Sequence, residues 1–171
     1  MPMIRLARPS DLASLADIER SAAQRFLDTH MAWAAGDETV PQDELGQSQA
    51  AGLLWIAECE GQPAGFALTR PMDGDLYLAE MAVALPWQGR GLGRALLSAV
   101  CRHARDAGCY RSVVLTTDRG LSWNGPFYQR QGFAELAEAE LTPGLRARLR
   151  HEAAMGFDPA RRCAMALLLE P

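Results

Sequence analysis

The residues with the clearest chemical potential lie in the stretch QGRGLGR, Gln88 to Arg94, where three glycines alternate with arginine and leucine. Glycine lets the backbone adopt positive φ angles and lets a ligand approach the main chain closely. An apolar helical pattern, ALLSAVCRHARDAG, follows at once. The first N–H groups of a helix have no intrahelical partner, and the aligned peptide dipoles add partial positive charge there. Together these make an anion site suited to phosphate, whereas a plain tight turn between strand and helix needs only one or two of the glycines. Two common phosphate loops fail. A dinucleotide fingerprint read from Gly91 gives Gly91, Gly93 and then Leu96, with Arg111 where an acid belongs. A P-loop needs a lysine, and this chain has none.

The spacing of Gln88, Gly91 and Gly93 fits Q/RxxGxG/A, and a second segment, WNGPFYQRQGF, carries Asn124, Phe127, Tyr128, Gly132 and Phe133 in order. With both motifs in place, the sequence resembles the GCN5-related N-acetyltransferase (GNAT) superfamily from Ile4 to about Glu140, with a last strand over Arg162 to Leu169. The resemblance implies an α/β fold with a central, mixed, mostly antiparallel, splayed sheet of about seven strands flanked by helices. It also implies acetyl-CoA as co-substrate, with no metal. The pantetheine arm would run beside Met81, Ala82 and Val83, and the pyrophosphate would sit on Gln88, Gly89, Arg90, Gly91, Leu92, Gly93 and Arg94. Asn124 and Phe127 would flank the cofactor, although Asn124 could equally cap a short helix and Phe127 could simply pack.

Acetyl transfer to an amine requires a neutral nucleophile, a stabilised oxyanion and a proton for the departing thiolate. An alkyl amine with a pKa near that of lysine, about 10.4, is mostly charged at neutral pH, so a base is useful. Glu80 is the single charge in the apolar run LYLAEMAVAL that leads to the glycines, and apolar surroundings raise a carboxyl pKa toward a useful range. It could instead orient the substrate ammonium or face solvent. By the resemblance, Tyr128 would protonate the thiolate and the Val83 N–H would bind the oxyanion; packing of Tyr128 in the core is the alternative. The acceptor would lie against the segment His30 to Gln47, with His30, Trp33, Asp37 and Glu38, and against Leu141 to Pro159. Glu80 would contribute there too. Acidic and aromatic side chains suit a cationic amine.

These groups need elements to carry them. MIRLAR alternates like a strand, and Ser10 reads as the cap of a helix with Leu12, Leu15, Ala16, Ile18 and Ala22 at helical spacing. His30 to Gln47 is irregular and acidic, with a short helix opening at Pro41. GQP and MDGD mark two hairpin turns, and LYLAEMAVAL is the strand between the second turn and the glycines. The helix is expected to begin where the glycines stop and to end at Gly108. RSVVLTT, Phe133 to Glu140 and RRCAMALLLE read as strands; WNGPFYQRQGF holds a short helix, and TPGLRARLRHEAAMG an arginine-rich surface helix. One domain over residues 1–171 is expected.

Composition narrows the function classes. Charged residues make up 22% and the net charge is −4, the balance of a soluble globular protein without a nucleic-acid surface. All seventeen basic residues are arginine, which removes Schiff-base lysine chemistry. Cys59, Cys101, Cys109 and Cys163 form no CxxC pair and read as small buried residues, and His30, His103 and His151 are isolated. No apolar run resembles a signal peptide or a membrane span, so a cytoplasmic location is expected. The reading is an N-acetyltransferase acting on a primary amine, a small molecule foremost, by direct transfer in a ternary complex. A protein N-terminal or lysine acetyltransferase and a non-catalytic CoA-binding module are the alternatives. Expected partners are acetyl-CoA and the amine, with no nucleic acid and no membrane; a homodimer is allowed.

Overall fold

Seven strands and five α-helices carry the chain in a computed structural model that describes residues 2–36 and 38–170. The strands are β1 (Met3–Leu6), β2 (Leu54–Cys59), β3 (Gln62–Met72), β4 (Asp75–Val83), β5 (Ser112–Asp118), β6 (Ala134–Glu135) and β7 (Arg162–Leu168). The helices are α1 (Leu12–Ala23), α2 (Gln42–Ala50), α3 (Leu92–Ala107), α4 (Gly125–Arg130) and α5 (Pro143–Met155). The sheet runs β1-β2-β3-β4-β5-β7-β6, and β7 lies antiparallel between β5 and β6. Its parallel pair is β4 with β5, in register at Leu76 with Val113 and Tyr77 with Val114. This is the mixed seven-stranded α/β arrangement expected from the sequence.

The chain forms two compact units, one of residues up to Arg70 with Glu80–Arg102, the other of Pro71–Ala79 with His103 onward. In the first, β2 and β3 meet through a two-residue turn, Glu60 and Gly61, with φ of 52° and 75°. Two successive positive φ values suit the right-handed twist of a hairpin, and the turn thus lies one residue earlier than GQP implied. Leu15 and Ile18 bury the apolar face of α1, while β2 and β3 bury Leu54, Ile56, Phe66 and Leu68. Each such side chain contributes roughly 1.5–3 kcal/mol of burial.

The start of α1 differs from expectation. A 3-10 turn over Pro9–Asp11 precedes it, and the Asp11 carboxylate, not Ser10, accepts the Arg8 N–H at 2.6 Å. Asp11 also accepts two bonds from Arg5, at 2.8 and 3.0 Å, while the Arg5 Nε donates to Glu58 at 2.6 Å. One guanidinium therefore ties β1, β2 and the helix entrance together. Its hydrogen bonds hold the Asp11 carboxyl below the usual range, against the opposing effect of burial.

In the second unit, Asp73 and Gly74 form the other hairpin turn, with φ of 53° and 84°. Tyr77, Val114, Leu145 and Ala164 form a buried cluster that joins β4, β5, α5 and β7. The Asp73 carboxylate accepts the Gly144 N–H at 2.7 Å and Thr142 Oγ1 accepts the Leu145 N–H, so two side chains satisfy the first turn of α5. The strand expected over Phe133 to Glu140 shrinks to Ala134 and Glu135, because a 3-10 turn at Glu138–Glu140 takes the chain into α5. Cys109 is exposed, unlike the three buried cysteines.

Asp11→Asn removes the negative partner of Arg5 and is expected to cost about 1.5–3 kcal/mol in urea unfolding at pH 7. Because the Asp11 pKa is depressed on folding, this contribution is complete above its ordinary value, about 3.9, and disappears as pH falls through the lower folded value. The gap between parent and variant should therefore narrow below about pH 4. A gap that stays constant down to pH 2.5 would contradict the linkage.

Candidate active site

β4 ends at Val83, and the chain passes through a 3-10 turn at Leu85–Trp87 into α3. Four ties fix this passage. The Ala84 N–H donates to Ala64 O at 2.8 Å, the Leu85 N–H to Ser21 Oγ at 2.9 Å, and the Trp87 N–H to Ala84 O at 2.8 Å. The fourth is the Gln88 side-chain amide, whose Nε2 donates to Val83 O at 2.8 Å and so folds the turn back on the end of the strand. β3 crosses this strand end closely: a Cβ on Gly65 would stand 2.9 Å from Ala82 O, so glycine is required there.

Gly89 and Gly91 have φ of +77° and +84°, and a Cβ on either would meet nothing within 4 Å. Their requirement is conformational, not steric. α3 begins at Leu92, three residues before the expected start, so Gly93 lies inside its first turn. The Ala95 N–H donates to Gly91 O at 3.0 Å, which leaves the N–H groups of Leu92, Gly93 and Arg94 ahead of the first intrahelical bond. Gly93 itself has ordinary helical φ, and its nearest would-be Cβ neighbour is Met81 Cε at 3.8 Å. Alanine would therefore fit there and favour the helix by up to about 1 kcal/mol. Nothing in the fold demands glycine at 93. Arg90 lies with its guanidinium 5.0 Å from the Trp87 ring centre, and both Arg90 and Arg94 are exposed.

Along β4, strand alternation puts Glu80 with Ala82 on one face and Met81 with Val83 on the other. Ala82 is buried, and Glu80, Met81 and Val83 are half-buried. His30, Trp33 and Glu38 are exposed, Trp33 within a 3-10 turn at Ala32–Ala35; Asp37 lies outside the described residues. All of these belong to the first compact unit.

The other motif lies in the second unit. Asn124 occupies the N-cap of α4, but its side chain makes no capping bond; its main-chain oxygen accepts the Tyr128 N–H at 3.0 Å. Gly125 is buried where a Cβ would come within 2.8 Å of Arg119 O and 3.0 Å of Asp118 O. The Tyr128 ring is 8% exposed and meets Phe127 and Phe133 edge-on, at 5.1 and 5.7 Å between centroids. The Phe133 N–H returns to Tyr128 O at 3.0 Å, which closes α4 over Gly132.

The sequence profile described as the Acetyltransferase (GNAT) family matches residues 13–133, from α1 through both motifs. The chain belongs to this family. Among curated relatives, an aminoglycoside N(6')-acetyltransferase type 1 from Stenotrophomonas maltophilia is 34% identical over 120 residues, 63% of this chain and 71% of that protein. The L-amino acid N-acyltransferase MnaT from Escherichia coli K12 is 34% identical over 121 residues, 65% of this chain and 67% of that one. Several other relatives are matched over less than half of their own length. In fold, PaiA N-acetyltransferase from Thermoplasma acidophilum, solved with coenzyme A, covers 98% of this chain and 99% of its own, with a TM-score of 0.71 at 16% identity.

As a GNAT family member the chain is an N-acetyltransferase. Among the described residues, no group of three or more His, Cys, Asp and Glu side chains is arranged to hold a metal, and no helix is long and apolar enough to cross a membrane. Three residues that shape the site region escaped the sequence reading. Gly65 and Gly125 are fixed by contacts with backbone distant in sequence, and Asp118, whose Oδ1 accepts the N–H groups of Gly120 and Leu121 at 2.8 and 2.9 Å, shapes the turn before α4. For Asp118 the DRG run was an available signal, because aspartate commonly bonds the backbone two residues on.

Gly125→Ala is expected to lower stability by about 1–3 kcal/mol, since the added carbon must push apart two main-chain carbonyls. Urea unfolding followed by circular dichroism measures it. An unchanged midpoint would show that the Asp118–Arg119 backbone yields freely.

Proposed function

We propose that this protein transfers the acetyl group of acetyl-CoA to the primary amine of a small molecule, directly and within a ternary complex, and that its two units act as one acetyltransferase domain. The observation that carries the donor assignment is Gly93. A glycine in the first turn of a 16-residue helix, with neither a positive φ nor a crowded Cβ to explain it, is a cost to the fold alone. A phosphate drawn against the helix mouth accounts for it, because the bare backbone at 93 and the left-handed glycines at 89 and 91 leave the N–H groups accessible.

Acetyl-CoA, when bound, supplies an acyl group activated as a thioester. The main chain of Gln88 to Arg94 holds the pyrophosphate, with Arg90 and Arg94 adding positive charge at its edge. Met81, Ala82 and Val83 present a strand edge to the pantetheine amides, and Asn124 and Phe127 flank the arm. The Val83 N–H donates to the acyl oxygen as that oxygen gains charge. The Gln88 amide on the Val83 carbonyl fixes the orientation of this strand end. Glu80 would take a proton from the acceptor ammonium, directly or through water, and free the amine lone pair to attack the acyl carbon; as the C–S bond breaks Tyr128 would give its phenolic proton to the sulfur, and the second amine proton would restore the phenol. His30, Trp33 and Glu38 contact the acceptor.

Gly93→Ala separates donor binding from folding. It should raise the unfolding free energy by up to about 1 kcal/mol while weakening acetyl-CoA binding tenfold or more, measured by calorimetric titration. Binding as tight as the parent's would remove the phosphate cradle.

The catalytic pair has its own signature in thiol release across an amine panel. Tyr128→Phe should lower kcat by about 10²-fold with the acetyl-CoA Kd unchanged, and Glu80→Gln should abolish the acidic limb of the kcat/KM profile. An intact acidic limb would take the base role from Glu80, and an unchanged kcat would do the same for the acid role of Tyr128.

A further inference from the structure

Exposed apolar side chains on the donor passage and on the segment that follows α1 bear on the chemical class of the acceptor. Leu27, Trp33 and Leu85 are 53%, 48% and 47% exposed; the other large apolar side chains open to this degree among the described residues, Met3, Leu6, Met155 and Leu168, lie on β1, α5 and β7. They come from two segments fastened to the same helix. The Ser21 hydroxyl of α1 accepts the Leu85 N–H at 2.9 Å, and the 3-10 turns that carry the region of Leu27 and Trp33 pack on each other and on α1. Two residues before Ser21, the Glu19 carboxylate accepts the Val40 N–H at 3.0 Å and so draws in the stretch that holds Glu38. Met31, 5% exposed, anchors the middle of the segment, and its N–H bonds Thr29 Oγ1 at 3.0 Å.

The segment thus carries exposed apolar side chains and two exposed carboxylates, Asp28 and Glu38, together with Arg25 and His30. Leu85 lies only two residues beyond Val83. A polyhydroxylated acceptor laid against Leu27, Trp33 and Leu85 would lose water from hydroxyls that these side chains cannot bond, at a cost of about 1–3 kcal/mol for each hydroxyl left unpaired. An amine with an aliphatic or aromatic body gains from burying the same surface, and its ammonium suits the carboxylates.

We infer that the acceptor is a small primary amine with an apolar body, recognised by Leu27, Trp33 and Leu85, and not a polyhydroxylated amino sugar. The inference rests on the acetyltransferase reading above and narrows its substrate. The test compares thiol release from acetyl-CoA with phenethylamine, leucinamide and kanamycin. The expected kcat/KM for the first two exceeds that for kanamycin by tenfold or more. In Trp33→Ser and Leu27→Ser, KM for phenethylamine rises at least fivefold, while the acetyl-CoA Kd measured without amine keeps its parent value and reports an intact fold. Faster turnover of kanamycin, or an unchanged phenethylamine KM in both variants, overturns the inference and leaves the acetyltransferase reading standing. So does a parent dimer that Trp33→Ser converts to monomer, since the patch would then face a second copy. Failure to release thiol with every amine, despite bound acetyl-CoA, overturns both.

Discussion

The hydrogen bond from the Gln88 amide to the Val83 carbonyl, 2.8 Å long, turns a strand end and a helix start into one object. Without it, the four residues between Val83 and Gln88 would be held to the end of β4 by fewer bonds. A single such bond contributes only about 1 kcal/mol net, so the passage is tied at several more points: Ala84 to Ala64, Leu85 to Ser21 and Trp87 to Ala84. The close approach of β3 at Gly65 belongs to the same set, because any side chain there would push Ala82 away and shift the strand end that Gln88 grips. Glycines 89 and 91 then supply the reversed φ values that bring α3 in with its N–H groups ahead of the chain. Helix-dipole and N–H chemistry need this aim more than any particular side chain, which explains why so much of the region is backbone.

That dependence on backbone decided what could be read from the residues alone. Strand alternation and helical periodicity are local signals, so β1 to β5, α1 to α5 and β7 appear in the sequence at close to their observed places. The glycine motif and Tyr128 were visible for the same reason, each being a spacing within a dozen residues. Boundaries were poorer where tertiary contacts outvote propensity. Gly93 looked like part of a turn, yet the helix includes it, because capping by Gly91 and burial of Leu92, 2% exposed, compensate for a weak helix former. Ser10 looked like a cap, yet it lies inside a 3-10 turn, and Asp11, the residue before α1, turns its carboxylate to Arg5 and the Arg8 N–H and makes no capping bond to the helix. The strand after Phe133 was overestimated, since its length depends on β7, thirty residues further on. Gly65 and Gly125 were invisible because each answers to a carbonyl that no local pattern reveals.

The absence of lysine, first a matter of exclusion, acquires a physical meaning in the packing. Glu152 is 2% exposed, a position where a lone carboxylate would be strongly disfavoured. It accepts from Thr116 at 2.8 Å, from Arg148 at 3.2 Å and from two nitrogens of Arg162 at 3.1 Å, so its oxygens are satisfied by three side chains. Arg162 in turn stacks 4.3 Å from the centre of Phe157. Arg5 makes the equivalent bridge with Asp11 and Glu58, and Arg119 makes a forked pair with Glu135. Each geometry uses the planar, multiply donating guanidinium, which an ammonium cannot reproduce.

The arginines of α5 are half-buried or exposed, and its buried anchor is Glu152, held by Arg148 of the helix and Arg162 of β7. With Asp73 and Thr142 holding its first turn, Glu152 its last, and Gly156 ending it at φ of 117°, α5 is fixed at both ends. The segment from Gln24 to Pro41 is built differently, from single-turn 3-10 helices joined by a few bonds such as Val40 to Glu19 and Met31 to Thr29. Short 3-10 turns have poorer hydrogen-bond geometry than α-helix and accept changes of side chain at lower structural cost. Of these two stretches, the one that holds α5 is pinned to the sheet through buried Leu145 and Glu152, whereas the one that holds Leu27 and Trp33 leaves both side chains exposed.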